Sequence, residues 1–153
     1  MSLIQLTAQL AISIAAAFLA AHLAVRRFKT ERWWERKLNA YTDLIDALSL
    51  VKWDASERYE AALGQRELND EYSDEISAGQ LAARKKAWQI AETSSFLISD
   101  QVLDAMQKME RGLSESRAAK CWQEHLETRE YAADICIKEI KAIGAKELGF
   151  RKT

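Results

Sequence analysis

The chain has 153 residues, a net charge of −1, five glycines and no proline. A chain of this length accommodates one domain, and the scarcity of turn-forming residues favours long helices over a sheet. The nearly balanced charge argues against a protein that binds nucleic acid over its whole surface. We therefore expect an all-α protein.

Residues 3–25 contain no Asp, Glu, Lys or Arg. As a helix, this stretch extends about 34 Å, which is enough to cross a hydrocarbon core of roughly 30 Å. Positive residues follow the stretch at Arg26, Arg27 and Lys29, whereas a signal peptide carries them in front. We therefore predict a transmembrane anchor over residues 1–25, with its N-terminus outside and the rest of the chain in the cytosol.

The predicted anchor carries a stripe of polar and small side chains on one face. At about 100° per residue, the stripe consists of Gln5, Gln9, Ser13, Ala16, Ala20 and Ala24. Small residues let helices approach closely in lipid, and glutamine side chains hydrogen-bond across the contact. We interpret the stripe as a surface for association between anchors, and hence expect a homo-oligomer. The alternative is a weakly hydrophobic anchor whose glutamines lie near the outer interface and have no role.

A basic collar follows the anchor and consists of Arg26, Arg27, Lys29, Arg32, Arg36 and Lys37. Such a collar sets membrane topology and contacts anionic lipid, so we expect membrane lipid as a partner. In a symmetric oligomer, several collars would form a positive ring that could bind a nucleotide signal or RNA. That hypothesis rests on charge alone.

Residues 26–153 are expected to form a cytosolic antiparallel bundle of about four helices. A juxtamembrane helix over 26–63 precedes helices over 74–98, 99–113 and 116–143, with Ser99 as the N-cap of the third helix. Gly112 and Gly144 are expected to mark the ends of the last two helices. The predicted core or heptad seam consists of Trp34, Leu38, Tyr41, Ile45, Leu48, Trp88 and Trp122. A coiled coil between chains is the alternative use of this seam.

The sequence contains no glycine-rich phosphate loop, no nucleophile elbow and no metal-ligand spacing. The best local group of reactive side chains is Cys121, Glu124, His125 and Arg129, at spacings of three and four. We interpret it as Glu–Arg pairing on an exposed helix face. We therefore expect no catalytic residue, no enzyme, no cofactor and no metal.

The motif FKTERWWERKLNAY, at Phe28–Tyr41, resembles a segment of small bacterial single-pass membrane proteins. The resemblance continues at Phe96–Asp100 and Ala145–Gly149. It implies a bacterial inner-membrane location and a helical cytosolic domain, but no established activity. In architecture alone, the chain is similar to the accessory membrane pore protein of RNA-targeting CRISPR systems, which assembles into a ring and permeabilises the membrane.

Two functions remain as hypotheses. In the first, the protein is an oligomeric inner-membrane effector of stress response or phage defence, which assembles or gates through its anchors. In the second, it is a membrane-tethered scaffold or regulator whose bundle docks a partner protein. The second hypothesis requires an exposed apolar patch on the bundle.

Overall fold

The computed structural model describes residues 3–149, with side chains from residue 12 onwards. Its elements are α1 (Leu3–Leu63), α2 (Asp70–Thr93), α3 (Asp100–Glu115), a short 3-10 helix (Ser116–Ala118) and α4 (Trp122–Glu147). No strand occurs within residues 3–149. The prediction of an all-α protein with a helical bundle is therefore confirmed.

The chain divides into two compact units, Met1–Arg36 and Lys37–Thr153. In the first unit, every side chain from residue 12 to residue 36 is exposed. The structure does not support the transmembrane anchor predicted over residues 1–25, because no helix among the described residues is both long and apolar enough to cross a bilayer.

The second unit is a helical bundle with one hydrophobic core. Large buried side chains come from three helices: Leu44 and Leu48 of α1, Met106 and Met109 of α3, and Leu126 and Ile140 of α4. The buried side chains of α2 are mostly small, namely Ala83, Ala87 and Ala91 beside Ile76. Because alanine fills little volume, most of the bulk of the core comes from the other three helices.

Side-chain caps fix where the last three α-helices begin. Asn69, Ser99 and Cys121 each accept a hydrogen bond from a backbone amide in the first turn of the helix that follows. Ser99 is therefore the N-cap that the sequence predicted. The helix α2 begins at Asp70 rather than at residue 74 because Asn69 caps it. Likewise, α4 begins at Trp122 rather than at residue 116 because a 3-10 turn precedes its cap.

The turn after α1 closes with the hydrogen bonds of a Schellman motif. The amide of Arg66 donates to the carbonyl of Ala61 at 2.9 Å, and that of Gln65 donates to Ala62 at 3.4 Å. Gln65 takes the left-handed conformation at the centre of this turn, with φ of 50°. The neighbouring Gly64 remains in the preceding position, although glycine is the residue that usually occupies a left-handed site.

Gly112 and Gly144 lie inside α3 and α4 rather than at their ends, contrary to the sequence-based expectation. A Cβ atom at Gly112 would come 2.8 Å from the Cβ of Ala132, and one at Gly144 would come 3.0 Å from the ring of Tyr41. The two glycines therefore permit close approach of α3 to α4 and of α4 to α1.

Glu147 joins the end of α4 to α1. Its Oε2 accepts a hydrogen bond from the hydroxyl of Tyr41 at 2.7 Å and lies 2.8 Å from Nζ of Lys37. Burial acts to raise the pKa of Glu147, but the hydrogen bonds from Lys37 and Tyr41 outweigh it and hold the pKa below its usual value. Burial, and then the Glu147 carboxylate, raise the pKa of Tyr41, so the phenol remains a proton donor.

Alanine at Gly112 and alanine at Gly79 should change stability in opposite directions. A Cβ at Gly79 meets no atom within 4 Å, so Gly79→Ala gains helix propensity and should stabilise the protein by about 0.5–1 kcal/mol. Gly112→Ala should destabilise it by about 1–3 kcal/mol because the new methyl group overpacks against Ala132. Urea unfolding of both variants measures the two changes. If both substitutions changed the free energy of unfolding in the same direction, Gly112 would not be in close contact with Ala132.

The contacts of Glu147 with Tyr41 and Lys37 should make the stability of the protein depend on pH. Because its folded pKa is depressed, Glu147 stabilises the fold above its ordinary pKa of 4.5, and this contribution is lost as pH falls through the folded pKa. Glu147→Gln should therefore destabilise the protein by about 1–2 kcal/mol near neutral pH, with a difference that shrinks below pH 4.5. The exposed Glu127→Gln is the control, and unfolding free energies across pH measure both. A difference independent of pH would exclude this role.

Candidate functional site

The predicted association stripe lies on α1. Gln5 and Gln9 fall outside the residues whose side chains the structure describes. The remaining members, Ser13, Ala16, Ala20 and Ala24, are exposed at spacings that place them on one helix face. Association through this stripe stays a prediction.

The members of the basic collar differ in their contacts. Arg27 pairs with Glu31 at 2.8 Å on an exposed face. Lys37 instead pairs with Glu147, and only 19% of its side chain is exposed. Lys37 therefore contributes to the bundle and does not belong with the exposed collar. The exposed members are Arg26, Arg27, Lys29, Arg32 and Arg36.

The residues predicted for the core fall into three groups. Tyr41 and Leu48 are buried; Leu38, Ile45 and Trp88 are half-buried; Trp34 and Trp122 are 42% and 57% exposed. The structure does not bury the last two. Trp122 is the first residue of α4, one turn before the first buried side chain of that helix, and its ring stacks on His125 with centroids 5.2 Å apart. Trp34 belongs to the first unit.

A buried carboxylate, Asp54 of α1, lies between two arginines. Arg58 Nε is 2.9 Å from Asp54 Oδ1, and Arg129 Nη2 of α4 is 3.6 Å from Oδ2. Arg58 also donates to the carbonyl of Ser73 and the hydroxyl of Ser77 on α2. This network joins three helices, and removing one partner of such a buried pair typically costs about 3–5 kcal/mol.

Arg129 also lines a polar cavity of about 370 Å³, which we name the basic pocket. Its charged wall consists of Arg84 from α2, Glu110 from α3, Arg117 from the 3-10 helix, and His125 and Arg129 from α4. Gln80, Leu113 and Ser114 complete the lining. With Asp54 and Arg58 beside Arg129 counted as well, four guanidinium groups face two carboxylates. This excess of positive charge would concentrate anions.

The three arginines of the pocket are partnered to different degrees. Arg84 forms a bidentate pair with Glu110, with Nε 2.6 Å from Oε1, and Trp88 Nε1 donates to the same oxygen at 3.0 Å. Arg117 is exposed, and within residues 12–149 it forms neither an ion pair nor a side-chain hydrogen bond. Its charge is therefore available to a ligand.

Arg129 is the most constrained of the three. Its Nε atom is buried and has no hydrogen-bond partner in the described part of the chain, which typically costs about 1–3 kcal/mol. Burial lowers the pKa of Arg129 and the Asp54 carboxylate opposes that shift. The charges of Arg58, Arg84 and Arg117 lower the pKa further, since like charges disfavour one another.

His125 is held in one orientation at the edge of the pocket. Its Nδ1 lies 2.7 Å from the carbonyl oxygen of Ser116 and donates a hydrogen bond to it. The other ring nitrogen, Nε2, is then the one that can contact a different partner. Cys121 uses its sulfur to cap α4. Its backbone carbonyl accepts from the amide of His125 at 3.0 Å, but no hydrogen bond joins the two side chains within residues 12–149. The two side chains therefore do not form a thiolate–imidazole pair.

A second, more apolar cavity of about 720 Å³ adjoins the basic pocket and shares Arg84 and Glu110 with it. Leu81 and Trp88 of α2 contribute its large apolar side chains, and Lys85 and Glu92 add one charge of each sign. Together, the two cavities place a cationic recess beside an aromatic surface.

A metal site needs several ligating side chains close together, and a reactive thiol at Cys136 needs a low pKa. Over residues 12–149, no group of three or more His, Cys, Asp or Glu side chains is placed to hold a metal ion. Cys136 is buried, and burial raises the pKa of its thiol to about 12. A thiol with such a pKa is a poor nucleophile.

Sequence reasoning missed the basic pocket. Arg129 was expected to pair within α4 on an exposed face, but its partner Asp54 lies on α1. Arg84 pairs with Glu110, which is 26 positions away, and no local spacing reveals such a contact. One signal was present: Asp54 and Arg58 are charged residues on the buried stripe of α1 that contains Val51 and Ala55. A charge in that position requires a partner from another helix.

Comparisons of the chain with protein families, with curated proteins and with solved structures found no match. The resemblance to small bacterial membrane proteins therefore stays a prediction.

Proposed function

We propose that this protein is attached to a membrane through the N-terminal part of α1 and self-associates there, with the helical bundle as its cytosolic domain. The observation that carries this proposal is the distribution of exposed apolar side chains along α1. Ile12, Ile14, Phe18, Leu19, Leu23 and Val25 are each 53–77% exposed.

These side chains do not form a single stripe. At about 100° per residue, Ile12, Leu19 and Leu23 project from one side of the helix, and the other three project from the opposite side. Contact with one flat surface cannot cover two separate apolar faces, whereas lipid around the helix covers both. Transfer of each such side chain out of water contributes about 1.5–3 kcal/mol.

This distribution favours insertion over an arrangement flat on the membrane surface. A helix that lies in the interface needs a strongly polar face opposite its apolar face, and residues 12–25 contain no Asp, Glu, Lys or Arg. Arg26, Arg27 and Lys29 come directly after the apolar residues and are exposed. Placed at the cytosolic headgroups, they attract anionic lipid by about 1 kcal/mol each.

Self-association is proposed from the small residues on the same helix. Ala16, Ala20 and Ala24 recur at spacings of four and would allow two helices to approach closely in lipid. Such an assembly would form a pore or a gate in the membrane and would act in stress response or phage defence. Leakage of a dye from vesicles measures this activity.

Vesicle binding tests the attachment. The full-length protein should float with vesicles of phosphatidylcholine and phosphatidylglycerol in a density gradient. Phe18→Asp combined with Leu19→Asp should reduce the bound fraction about 100-fold or more, because each buried carboxylate costs about 2.5–3.5 kcal/mol.

Phe96→Asp is the matched control, since Phe96 is 68% exposed but lies in the bundle. It should leave vesicle binding unchanged. Wild-type protein that remains at the bottom of the gradient would refute membrane attachment.

A second candidate function, docking of a partner protein, is favoured by an apolar groove in the bundle. Leu50 and Trp53 of α1 are 55% and 47% exposed, and they line a groove of about 200 Å³ with Ile76 and Gly79 of α2. Exposed aromatic side chains of this kind anchor many protein interfaces. The scaffold hypothesis required such a patch.

Mass measurement in nanodiscs separates the two functions. Light scattering should give a closed oligomer. Gln9→Leu combined with Ala16→Leu should dissociate it, because the first change removes a hydrogen-bonding side chain from the proposed helix contact and the second fills it. Ile14→Leu, which lies off the stripe, is the control.

A wild-type monomer would contradict self-association and leave the docking function, to be tested by cross-linking from position 53. An oligomer that survives the stripe substitutions but is lost in Trp53→Arg would place the interface at the groove rather than at the N-terminal part of α1.

A further inference from the structure

We infer that the basic pocket binds the phosphate group of a small phosphate-bearing ligand. The pocket gathers three arginines and one histidine from α2, the 3-10 helix and α4 around about 370 Å³ of space. This volume lies in the range of small-molecule sites. The inference uses residues of the bundle only and does not depend on membrane attachment.

Charge is the first reason for an anionic ligand. Glu110 neutralises Arg84, and Asp54 is shared between Arg58 and Arg129. Arg117 has no carboxylate within ion-pair distance in the described part of the chain. The pocket therefore retains uncompensated positive charge, and an oxyanion would relieve the repulsion among its guanidinium groups.

Donor geometry is the second reason. Guanidinium groups present planar forks of N–H donors that match the oxygens of phosphate, and phosphate accepts from several donors at once. Arg84, Arg117 and Arg129 approach the pocket from three separate elements. Glu110 already engages Nε and Nη2 of Arg84, and Asp54 lies near Nη2 of Arg129. Arg117 therefore offers a whole guanidinium fork, and the other two arginines offer their remaining N–H groups, to a tetrahedral oxyanion.

The adjoining cavity shows where an organic part of the ligand would lie. Trp88 and Leu81 line that cavity, and Arg84 belongs to both walls. A phosphate ester with a planar organic group could therefore place its phosphate among the arginines and its organic part against Trp88. Free phosphate would occupy the basic pocket alone.

A purely structural role does not account for Arg117. Asp54 holds Arg58 and Arg129, and Glu110 holds Arg84, so those arginines have partners that support the fold. Arg117 is exposed and makes no such contact among residues 12–149. Its replacement should consequently leave stability unchanged, which makes it the residue that separates ligand binding from folding.

Calorimetric titration of the full-length protein tests the inference. The protein is kept in a maltoside detergent, which carries no phosphate, and is titrated with inorganic phosphate and, separately, with AMP at constant ionic strength. Both probes should bind. Arg117→Gln should weaken binding about tenfold, the change expected for one lost charge-assisted hydrogen bond, with an unchanged unfolding temperature.

Lys120→Gln is the matched control. It removes one positive charge from the same segment between α3 and α4, but Lys120 does not line the pocket. It should leave binding unchanged. Tighter binding of AMP than of inorganic phosphate would assign the ligand to a phosphate ester, and equal binding would assign it to phosphate itself; both support the inference. No binding of either probe, or equal weakening by the Arg117 and Lys120 variants, would overturn it.

Discussion

The bundle depends on the neutralisation of one buried carboxylate. Asp54 is 3% exposed, and an ionised carboxylate so far from water is tolerated only with close positive partners. Arg58 and Arg129 supply them. Because Arg58 also reaches two serines of α2 and Arg129 comes from α4, satisfying this charge fixes the mutual positions of three helices. The same requirement brings Arg129 to the wall of the basic pocket.

Close approach between helices is the second constraint. It is met by glycines, which have no side chain at the points of contact. Gly112 lies against Ala132, and Gly144 lies against the ring of Tyr41. Each glycine costs helix propensity, about 1 kcal/mol relative to alanine, which the close packing offsets. The hydrogen bond from Tyr41 to Glu147 is formed across one of these contacts, so packing and electrostatics act at the same place.

The chain presents two surfaces of opposite chemistry. The N-terminal part of α1 exposes large apolar side chains on two separate faces, which favours lipid or other copies of the helix as its environment. The bundle contains a recess rich in arginine, whose positive potential favours an anion. A protein with both surfaces would combine attachment to a membrane with recognition of a soluble, charged ligand. Each property can be tested without the other.

The sequence by itself determined the class of the fold, the N-cap at Ser99 and the apolar character of the first helix. These are local properties: composition sets the helix propensity, a capping side chain acts within one turn, and an uncharged run is visible in the residue order. The seam of α1 was also partly visible, since Tyr41 and Leu48 are buried as its periodicity predicted.

Only the tertiary structure decided which charged residues meet and which tryptophans are covered. Arg84 meets Glu110, and Arg129 meets Asp54, across helices whose relative rotation no local spacing encodes. Trp122 has the large apolar side chain that is typical of a core residue, but it precedes the buried part of α4 and so stays exposed. Gly112 and Gly144 were predicted to end their helices because glycine has a low helix propensity. That propensity is the same when a glycine inside a helix allows another helix to pack closely. Which role applies depends on the partner helix, and that partner is set by the packing of the whole bundle.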